Sequence, residues 1–324
     1  MMHYMFGFLK SKSTSKHRLA LGMLLFAVFC SQTQPVFAKL LYEDGWTPVS
    51  VYFLALLVVV VFLGIHEFLE FSETERWDMS KEDIFGTVLT TLLGGVISPI
   101  LFYTGLLLIS ASDAVLISSS IPIFTVMFAV IFLGERFNTA TVIGTVFLFS
   151  GLGMLLWSDI QQAQLSVGVP LILGAAVMSA LTTIVHKKYI KNRHLDSVVF
   201  VRVTLSVLLV GAWMWFTEPE SFELFLEPQK LQLVFGLPIL GIIIPSFFFF
   251  GALRRLKAME VGIVAGVGPI AGVLLAAAFL GEQIEQTQVA SLLLIIFGIL
   301  NINVPLTRWR IVPTRLMGIG PLRK

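Results

Sequence analysis

One arginine inside an otherwise apolar segment is the residue whose chemistry is most specific. Arg202 lies four residues into the run VVFVRVTLSVLLVG, which covers residues 198–211. A guanidinium group pairs bidentately with carboxylate and phosphate groups, so Arg202 is a candidate anchor for an anionic ligand. The alternative is structural, because Arg202 is close to the start of its segment. In that case its side chain extends to the nearby interface or bonds to helix-end carbonyl groups.

Two prolines that follow small residues indicate a second kind of site. Pro122 follows a run of three serines, and Pro269 follows the tripeptide Gly-Val-Gly. A proline removes one hydrogen bond within a helix, and the freed carbonyl groups can line a cavity together with small side chains. The alternative is a pair of kinks that serve helix packing only. The candidate ligand-binding residues are Arg202, Tyr103 (one turn from Pro99), Ser118, Ser119, Pro122, Gly266, Gly268 and Pro269.

Four charged residues at the ends of apolar segments form a third group. Lys39 and Lys187 could attract an anionic solute, or they could place their ammonium groups among lipid headgroups. Glu135 and Glu282 each follow a Leu-Gly pair. Each of the two is either a proton-coupling carboxylate or an interfacial helix cap. We therefore predict a gating or interfacial role for these four residues.

The sequence lacks the signatures of catalysis and of cofactor binding. It contains no G-x-x-x-x-G-K-[ST] phosphate loop, no H-E-x-x-H and no G-x-S-x-G. Its one cysteine, Cys30, excludes an intrachain disulfide and a metal cluster of several cysteines. The net charge of +2 is too small to neutralise a nucleic-acid backbone. We expect no enzyme activity, no metal, no cofactor and no nucleic-acid partner.

The elements that must position these residues are apolar helices. Of the 324 residues, 56% are hydrophobic and 13% are charged, whereas soluble domains carry about 25% charged residues. A transmembrane helix needs about 20 mostly apolar residues. The sequence predicts an all-α integral membrane protein whose partners are the lipid bilayer and a small molecule, with homodimerisation left open. Its ten predicted transmembrane segments are 19–41, 49–65, 84–109, 114–134, 140–157, 167–186, 198–216, 233–253, 261–281 and 288–306.

Basic residues predict how these segments are oriented, because loops rich in Lys and Arg stay on the cytoplasmic side. With the N-terminus inside, the cytoplasmic segments hold 19 Lys and Arg residues and the outside segments hold 2. We therefore expect a multi-pass protein of the cell membrane, a bacterial inner membrane, with both termini in the cytoplasm. An alternative for residues 1–38 is a cleaved signal peptide, since residues 36–38 resemble a signal-peptidase site.

The two halves of the chain repeat one another at an offset of 147 residues. Residues 122–137, PIFTVMFAVIFLGERF, align with residues 269–284, PIAGVLLAAAFLGEQI. Each half then holds five helices, and an odd number of spans inserts the second copy upside down. Inverted repeats are typical of secondary transporters, and this repeat favours a retained first helix over a signal peptide. The predicted units are an N-terminal tail at 1–18, two five-helix repeats at 19–157 and 158–306, and a basic C-terminal tail at 307–324.

Three features of about residues 19–306 point to a known family: the doubled Pro…Leu-Gly-Glu pattern, the ten segments, and the lysines that end the first and sixth of them. In these features the chain resembles the EamA-type permeases of the drug/metabolite transporter superfamily. This resemblance implies a secondary transporter, an exporter rather than an importer, of a small metabolite such as an amino acid. Transport would proceed by alternating access between the two repeats. Such permeases usually carry an arginine in the second helix of each repeat; Arg202 matches in the second half, whereas Leu54 occupies the matching position in the first. The alternative function is a flippase for a lipid-linked sugar or phosphate.

Overall fold

Helices account for nearly all of the chain that the computed structural model describes, which comprises residues 14–70, 80–135, 139–157, 166–190, 195–226, 231–253, 255–256 and 258–303. No strand occurs within these ranges. Seven of the helices in the described part are long and apolar enough to cross a membrane, and three shorter ones are also apolar. The seven are His17–Glu43, Pro48–Ile65, Lys81–Leu108, Ala111–Leu133, Gly168–Tyr189, Val198–Thr217 and Glu260–Leu280, and the shorter three are Thr139–Leu155, Phe235–Phe249 and Gln286–Ile302.

Capping residues set several helix ends in the first half of the chain. The Ser80 hydroxyl accepts the Asp83 N–H while the Asp83 carboxylate accepts the Ser80 N–H, which is a capping box. The Ser110 hydroxyl likewise accepts the Asp113 N–H. Gly134 ends a helix in the left-handed conformation, with φ of 65°. The helices are α1 Thr14–Ser31, α2 Thr33–Glu43, α3 Pro48–Glu70, α4 Lys81–Thr90, α5 Ser98–Leu108, α6 Ala111–Ser118, α7 Ile121–Leu133 and α8 Thr139–Leu155.

Helix ends in the second half fall at corresponding positions. Adding 147 to the bounds of α6 and α7 gives 258–265 and 268–280, which are the bounds of two helices there. Gly281, the counterpart of Gly134, also ends its helix with a positive φ of 67°. The helices are α9 Gly168–Tyr189, α10 Leu195–Thr217, α11 Leu231–Pro238, α12 Ile244–Leu253, α13 Ala258–Ala265, α14 Gly268–Leu280 and α15 Gln286–Asn303, with a 3-10 segment at Pro219–Leu226.

Two segments wind more widely than an α-helix. We call them π1, Thr91–Ile97, which joins α4 to α5, and π2, Ile239–Ile243, which joins α11 to α12. The offset of 147 carries 91–97 onto 238–244, the range that contains π2. Single π-turns inside α-helices are frequent at functional sites. Both halves therefore depart from regular helix at the same position.

Small residues allow the closest helix packing, which joins α8 to α15. A Cβ at Gly144 would lie 2.6 Å from the carbonyl oxygen of Gly298, and one at Gly151 would lie 3.0 Å from that of Ser291. Other extensive contacts pair α9 with α5, α12 with α1 and α10 with α3. Each of these four pairs takes one helix from each half, so the two halves are packed against one another along most of their length.

Candidate functional site

Three helices are interrupted where the two halves meet. The first interruption separates α1 from α2 at Gln32, the second separates α6 from α7 at 119–120, and the third separates α13 from α14 at 266–267. The N-terminal part of α14 contacts α2 and α6, and α2 contacts α6. Pro122 and Pro269 lie in the first turn of α7 and α14, where a missing N–H costs no helical hydrogen bond. The two prolines thus lie in the first turn of the helices that follow the second and third interruptions.

The Gln32 side chain lies against the interruption between α13 and α14. A Cβ at Gly268 would be 3.3 Å from Gln32 Nε2, and one at Gly272 would be 3.0 Å from Gln32 Oε1. The Cβ at Gly272 would also lie 2.7 Å from a methyl group of Val115 in α6. Glycine at these positions therefore leaves room for a carboxamide from the other half. We refer to Gln32, Gly268, Pro269 and Gly272 as the break cluster.

The three serines before Pro122 differ in their hydrogen bonding. Ser118 is half-buried at the end of α6, and the Ser119 hydroxyl donates to the carbonyl oxygen of Val115 at 2.9 Å. Ser120 is only 3% exposed, and its hydroxyl finds no hydrogen-bond partner among the residues that the structure describes. Buried hydroxyl groups are nearly always bonded. The sequence singled out Ser118 and Ser119, but Ser120 is the serine with unused bonding capacity.

Gly266 and Gly268 lie on either side of the break in the second half. Both are buried, as is Pro269. A Cβ at Gly266 would be 3.2 Å from the carbonyl oxygen of Ile263 in its own helix, so Gly266 serves the local turn. Gly268 instead faces Gln32. Of the two predicted glycines, Gly268 belongs to the break cluster.

Arg202 is half-buried in α10. One turn later, Ser206 is 1% exposed and lies so close to Gly95 in π1 that a Cβ there would meet the serine hydroxyl at 2.2 Å. Electrostatic interactions join the half-buried Arg202 guanidinium to Tyr52 in α3 and to His186 in α9. Leu209 and Trp213, seven and eleven residues after Arg202 and so on nearly the same side of the helix, are exposed, whereas Val210 and Met214 are fully buried. Arg202 therefore lies at the edge of the buried face of α10.

Tyr103 belongs to a group of three tyrosines. It is 4% exposed, and its ring stacks on that of Tyr52 with 5.6 Å between the centroids. The Tyr52 hydroxyl donates to the Gly95 carbonyl at 2.7 Å, and the Tyr42 hydroxyl donates to the Tyr103 carbonyl at 2.8 Å. Tyr52, Tyr103 and Tyr42 thus form a connected row, which we call the tyrosine row, and Arg202 lies within electrostatic range of Tyr52. Of the predicted ligand-binding residues, Tyr103 lies in this row and Gly268 and Pro269 belong to the break cluster. The others, which belong to neither, are Arg202, Ser118, Ser119, Pro122 and Gly266.

Two further polar contacts lie at the π segments, and the sequence did not single out their residues. The Gln34 amide donates to the Gly241 carbonyl in π2 at 2.6 Å. In the other half, Thr182 of α9 lies against Gly94 of π1, where a Cβ would be 2.6 Å from the threonine methyl. The two contacts correspond, since Gln34 and Thr182 are separated by 148 residues and Gly94 and Gly241 by 147. That double offset is the only sequence signal that could have found them.

Glu282 binds the start of a helix from the other half. Its carboxylate accepts the backbone N–H of Ala111 at 2.6 Å and of Ser112 at 2.9 Å, and also the Ser112 hydroxyl at 2.6 Å. A carboxylate at a helix N-terminus satisfies unpaired N–H groups and interacts favourably with the helix dipole. Lys39 lies within electrostatic range of Glu282. At the same end of the molecule the Gln288 amide donates to the Asp113 carboxylate at 2.8 Å.

Glu135 pairs with Lys187 instead. The two side chains form an ion pair between the connection that follows α7 and the last turn of α9, and both are substantially exposed. All four charged residues that the sequence singled out therefore interact with a residue of the other half. Among the described residues, no three His, Cys, Asp or Glu side chains are arranged to hold a metal ion.

The comparison with protein families covers most of the chain. The model of the EamA-like transporter family matches residues 18–157 and 166–304. The chain is 26% identical over 227 residues to the uncharacterized transporter YcxC of Bacillus subtilis, which is 65% of this chain and 71% of that protein. It is 25% identical over 289 residues to an uncharacterized transporter of Clostridium kluyveri, covering 85% and 90% of the two chains. It is 29% identical over 164 residues to the protein RarD of Salmonella typhi, about half of each chain (50% and 52%).

A solved structure shares the fold. One crystal structure matches with a TM-score of 0.60 at 15% identity, covering 92% of this chain and all (100%) of its own. At that level of identity the match concerns the arrangement of the helices. It shows that the packing described above is one that a solved protein adopts.

Proposed function

The chain belongs to the EamA-like transporter family, and on that basis we propose that it is a secondary transporter that exports a small metabolite, such as an amino acid, across the cell membrane. Relatives over most of the chain are named as transporters. The proposed mechanism is alternating access, in which one repeat rocks against the other around a site between them.

The proposal includes ten membrane-spanning helices arranged as two inverted five-helix repeats, with both termini in the cytoplasm. The contact between Gly144 and Gly298 supports it, because the 147-residue offset carries this pair onto Ser291 and Gly151, which are also in contact. A contact that maps onto a second contact by exchanging the two halves is what a two-fold axis between them produces. An axis of this kind in the membrane plane relates repeats of opposite orientation.

The proposed substrate site is the break cluster, and the observation that carries it is the coincidence of interruptions in the two halves. Corresponding breaks in two repeats leave backbone carbonyl groups without helical partners. The Gln32 carboxamide adds a side-chain hydrogen-bonding group there, and the Ser120 hydroxyl adds one at the interruption in the first half. Such groups bind the polar end of a small solute, while the surrounding apolar side chains contact the remainder.

The experiment is solute exchange in proteoliposomes. Purified protein is reconstituted with radiolabelled amino acids, organic acids, amines, nucleosides or sugar phosphates inside, and counterflow against the unlabelled solute is followed. We expect saturable exchange of one chemical class above the rate in protein-free vesicles. Exchange of none of these solutes, by protein that is folded and monodisperse, would contradict the proposal. Movement of a fluorescent lipid-linked sugar in the same vesicles would then favour a flippase.

A substitution at Gly268 links the exchange to the proposed site. In Gly268→Ala the new methyl would lie 3.3 Å from Gln32 Nε2, so the amide must move. The matched control is Gly153→Ala in α8, because a Cβ there has no neighbour within 4 Å. We expect slower exchange in the first variant and wild-type exchange in the second. Equal exchange rates would exclude the break cluster as the substrate site.

A further inference from the structure

Exchanging the two halves carries the Glu282 cap onto a contact that is not made among the described residues. An offset of 147 relates Glu282 to Glu135, and it relates Ala111 and Ser112, which donate to Glu282, to positions 258 and 259 at the start of α13. In the described structure the Glu135 carboxylate bonds to Lys187 and to no N–H group of α13. Corresponding carboxylates therefore have different partners at the two ends of the molecule.

Packing of the helices beside the two carboxylates differs in the same way. α6 packs against α14, which precedes Glu282, and against α2. The offset relates α6 to α13, α14 to α7, and α2 to the second part of α9. In the part of the chain that the structure describes, α13 packs to no comparable extent against α7 or α9. The contact between α14 and α6 is therefore formed, whereas its counterpart between α7 and α13 is not.

The start of α13 can accept a cap of the same kind. The helices α13 and α6 both have 8 residues, and the first N–H groups of a helix have no partner within it. Gly134 and Gly281 end the preceding helices with φ of 65° and 67°, so each carboxylate follows the same backbone turn. A carboxylate is stabilised at a helix N-terminus, whereas the exposed ion pair between Glu135 and Lys187 is a weak contact. Glu135 can therefore exchange Lys187 for α13 at little cost.

We propose that Glu135 and Glu282 are alternating helix caps. In the described structure Glu282 holds the start of α6 while Glu135 is bound to Lys187. In the opposite state Glu282 releases α6, and Glu135 leaves Lys187 and accepts the backbone N–H groups of Ala258 and Met259. The proposal rests on the proposed transport function and gives each of the two carboxylates a role in one of the two states that alternating access requires.

Spin labels at Ile131 and Ile263 report the distance between α7 and α13 in the purified full-length protein. Both side chains are exposed, and each is replaced by a labelled cysteine in a Cys30→Ala background. Their counterparts, positions 278 and 116, lie on the packed helices α14 and α6, so a shorter distance indicates the same packing between α7 and α13. Double electron–electron resonance in nanodiscs gives the fraction of molecules with each distance. Glu282→Ala removes the cap of α6 and should raise the fraction with the shorter distance by about two- to tenfold, the change that loss of one helix cap produces.

Substitutions at Glu135 and Lys187 distinguish a cap from a simple ion pair. Lys187→Ala frees the carboxylate and should raise the fraction with the shorter distance, whereas Glu135→Ala removes the cap and should not, and the double variant should follow Glu135→Ala. A carboxylate whose only role is the ion pair gives the same result when either partner is removed. Equal changes in the two single variants, or a rise in the double variant, would overturn the proposal, and this comparison holds even if Glu282→Ala does not fold. The matched controls are Glu82→Ala and Lys188→Ala, which remove exposed charges and should leave the distances unchanged.

The outcome for the transport function is read separately, because the labels report conformation and not movement of a solute. Exchange of a solute by wild-type protein in proteoliposomes, with equal effects of Glu135→Ala and Lys187→Ala on the distance, would leave the transporter standing and remove the alternating caps. The expected distance changes in a protein that exchanges no solute would have the opposite consequence.

Discussion

Gln32 is the residue whose surroundings are most informative about binding. Its carboxamide lies at an interruption of its own helix and against Gly268 and Gly272 of the other half. Its Nε2 has one long contact, 3.4 Å to the Ser31 hydroxyl, so most of its hydrogen-bonding capacity is unused within the described structure. Gln34, two residues later, instead donates a short bond to the Gly241 carbonyl. The two glutamines therefore have different roles.

We predict that Gln32→Leu and Gln34→Leu have different effects. Leucine at 32 keeps the approximate volume but removes the amide, so exchange in proteoliposomes should fall by about tenfold with little change in stability. Leucine at 34 leaves a carbonyl of π2 unbonded, which should lower the free energy of unfolding by about 1–3 kcal/mol. Exchange assays and thermal unfolding of both variants are the measurements. Wild-type exchange by Gln32→Leu would argue that its amide does not contact the solute.

Glu282 and Glu135 occupy corresponding positions, but we predict that they differ in their contribution to stability. Glu282→Ala removes a carboxylate that accepts three hydrogen bonds at the start of α6, and loss of a helix cap costs about 0.5–2 kcal/mol. Glu135→Ala removes only an exposed ion pair with Lys187, for which about 0–1 kcal/mol is typical. Unfolding temperatures in one detergent give the comparison. Equal values for the two variants would contradict the assigned roles.

The residue types of the candidate site were predictable, but their partners were not. Arg202 was identifiable because a charge in an apolar run is costly, and the glutamates because they recur at one spacing. Nothing local to Glu282 indicates that it binds Ser112, which is 170 positions away in the chain. Gln32 was missed although it lies in a polar run, SQTQ at residues 31–34, within an otherwise apolar segment. Its role exists only where the fold brings glycines from the other half to it.

At the scale of elements, the contact between α8 and α15 is the closest in the described structure. A Cβ added at Gly144 would lie 2.6 Å from the Gly298 carbonyl oxygen, and one added at Gly298 would lie 2.7 Å from the Gly144 carbonyl oxygen. Small residues at such crossings let helix backbones approach and gain dispersion contacts, which drive helix association in lipid. This pair therefore acts as a rigid join between the two halves.

We predict that Gly144→Leu destabilises the protein far more than Gly153→Leu. Both residues lie in α8, but a Cβ at 153 has no neighbour within 4 Å, whereas one at 144 meets Gly298 and Ile302. Overpacking of a tight contact costs about 1–3 kcal/mol or more. Both variants lose the same glycine flexibility, so the difference in unfolding temperature reports the contact alone. A smaller loss at 144 than at 153 would show that the two helices are not in close contact.

The sequence predicted the interruptions at Pro122 and Pro269, because a proline in the middle of a helix removes a backbone hydrogen bond. It did not predict the break at Gln32 or the segments π1 and π2. Prolines follow two of these departures as well, Pro35 three residues after Gln32 and Pro99 two residues after π1, but their spacing does not recur in the aligned repeat segments, and a π-turn leaves hydropathy unchanged. These departures depend on contacts with the opposite half, such as the one between Gln34 and Gly241, which local sequence does not encode.

At the scale of the whole molecule, polar contacts between the halves occur at both of its ends. Glu135 and Lys187 lie at one end, and Asp113 and Gln288, near the Glu282 cap, lie at the other. In alternating access each end must open in turn, so contacts between repeats at each end have to break during the cycle. Exposed ion pairs and single hydrogen bonds are weak enough to do so. The join between α8 and α15 does not need to open.

We predict that linking either pair of end residues stops transport. In a Cys30→Ala background, which removes the single native cysteine, one variant carries Glu135→Cys with Lys187→Cys and another carries Asp113→Cys with Gln288→Cys. A short bis-methanethiosulfonate reagent should abolish solute exchange in each, and dithiothreitol should restore it. The corresponding single-cysteine variants control for modification alone. Full exchange by either linked protein would exclude rocking between the repeats as the mechanism.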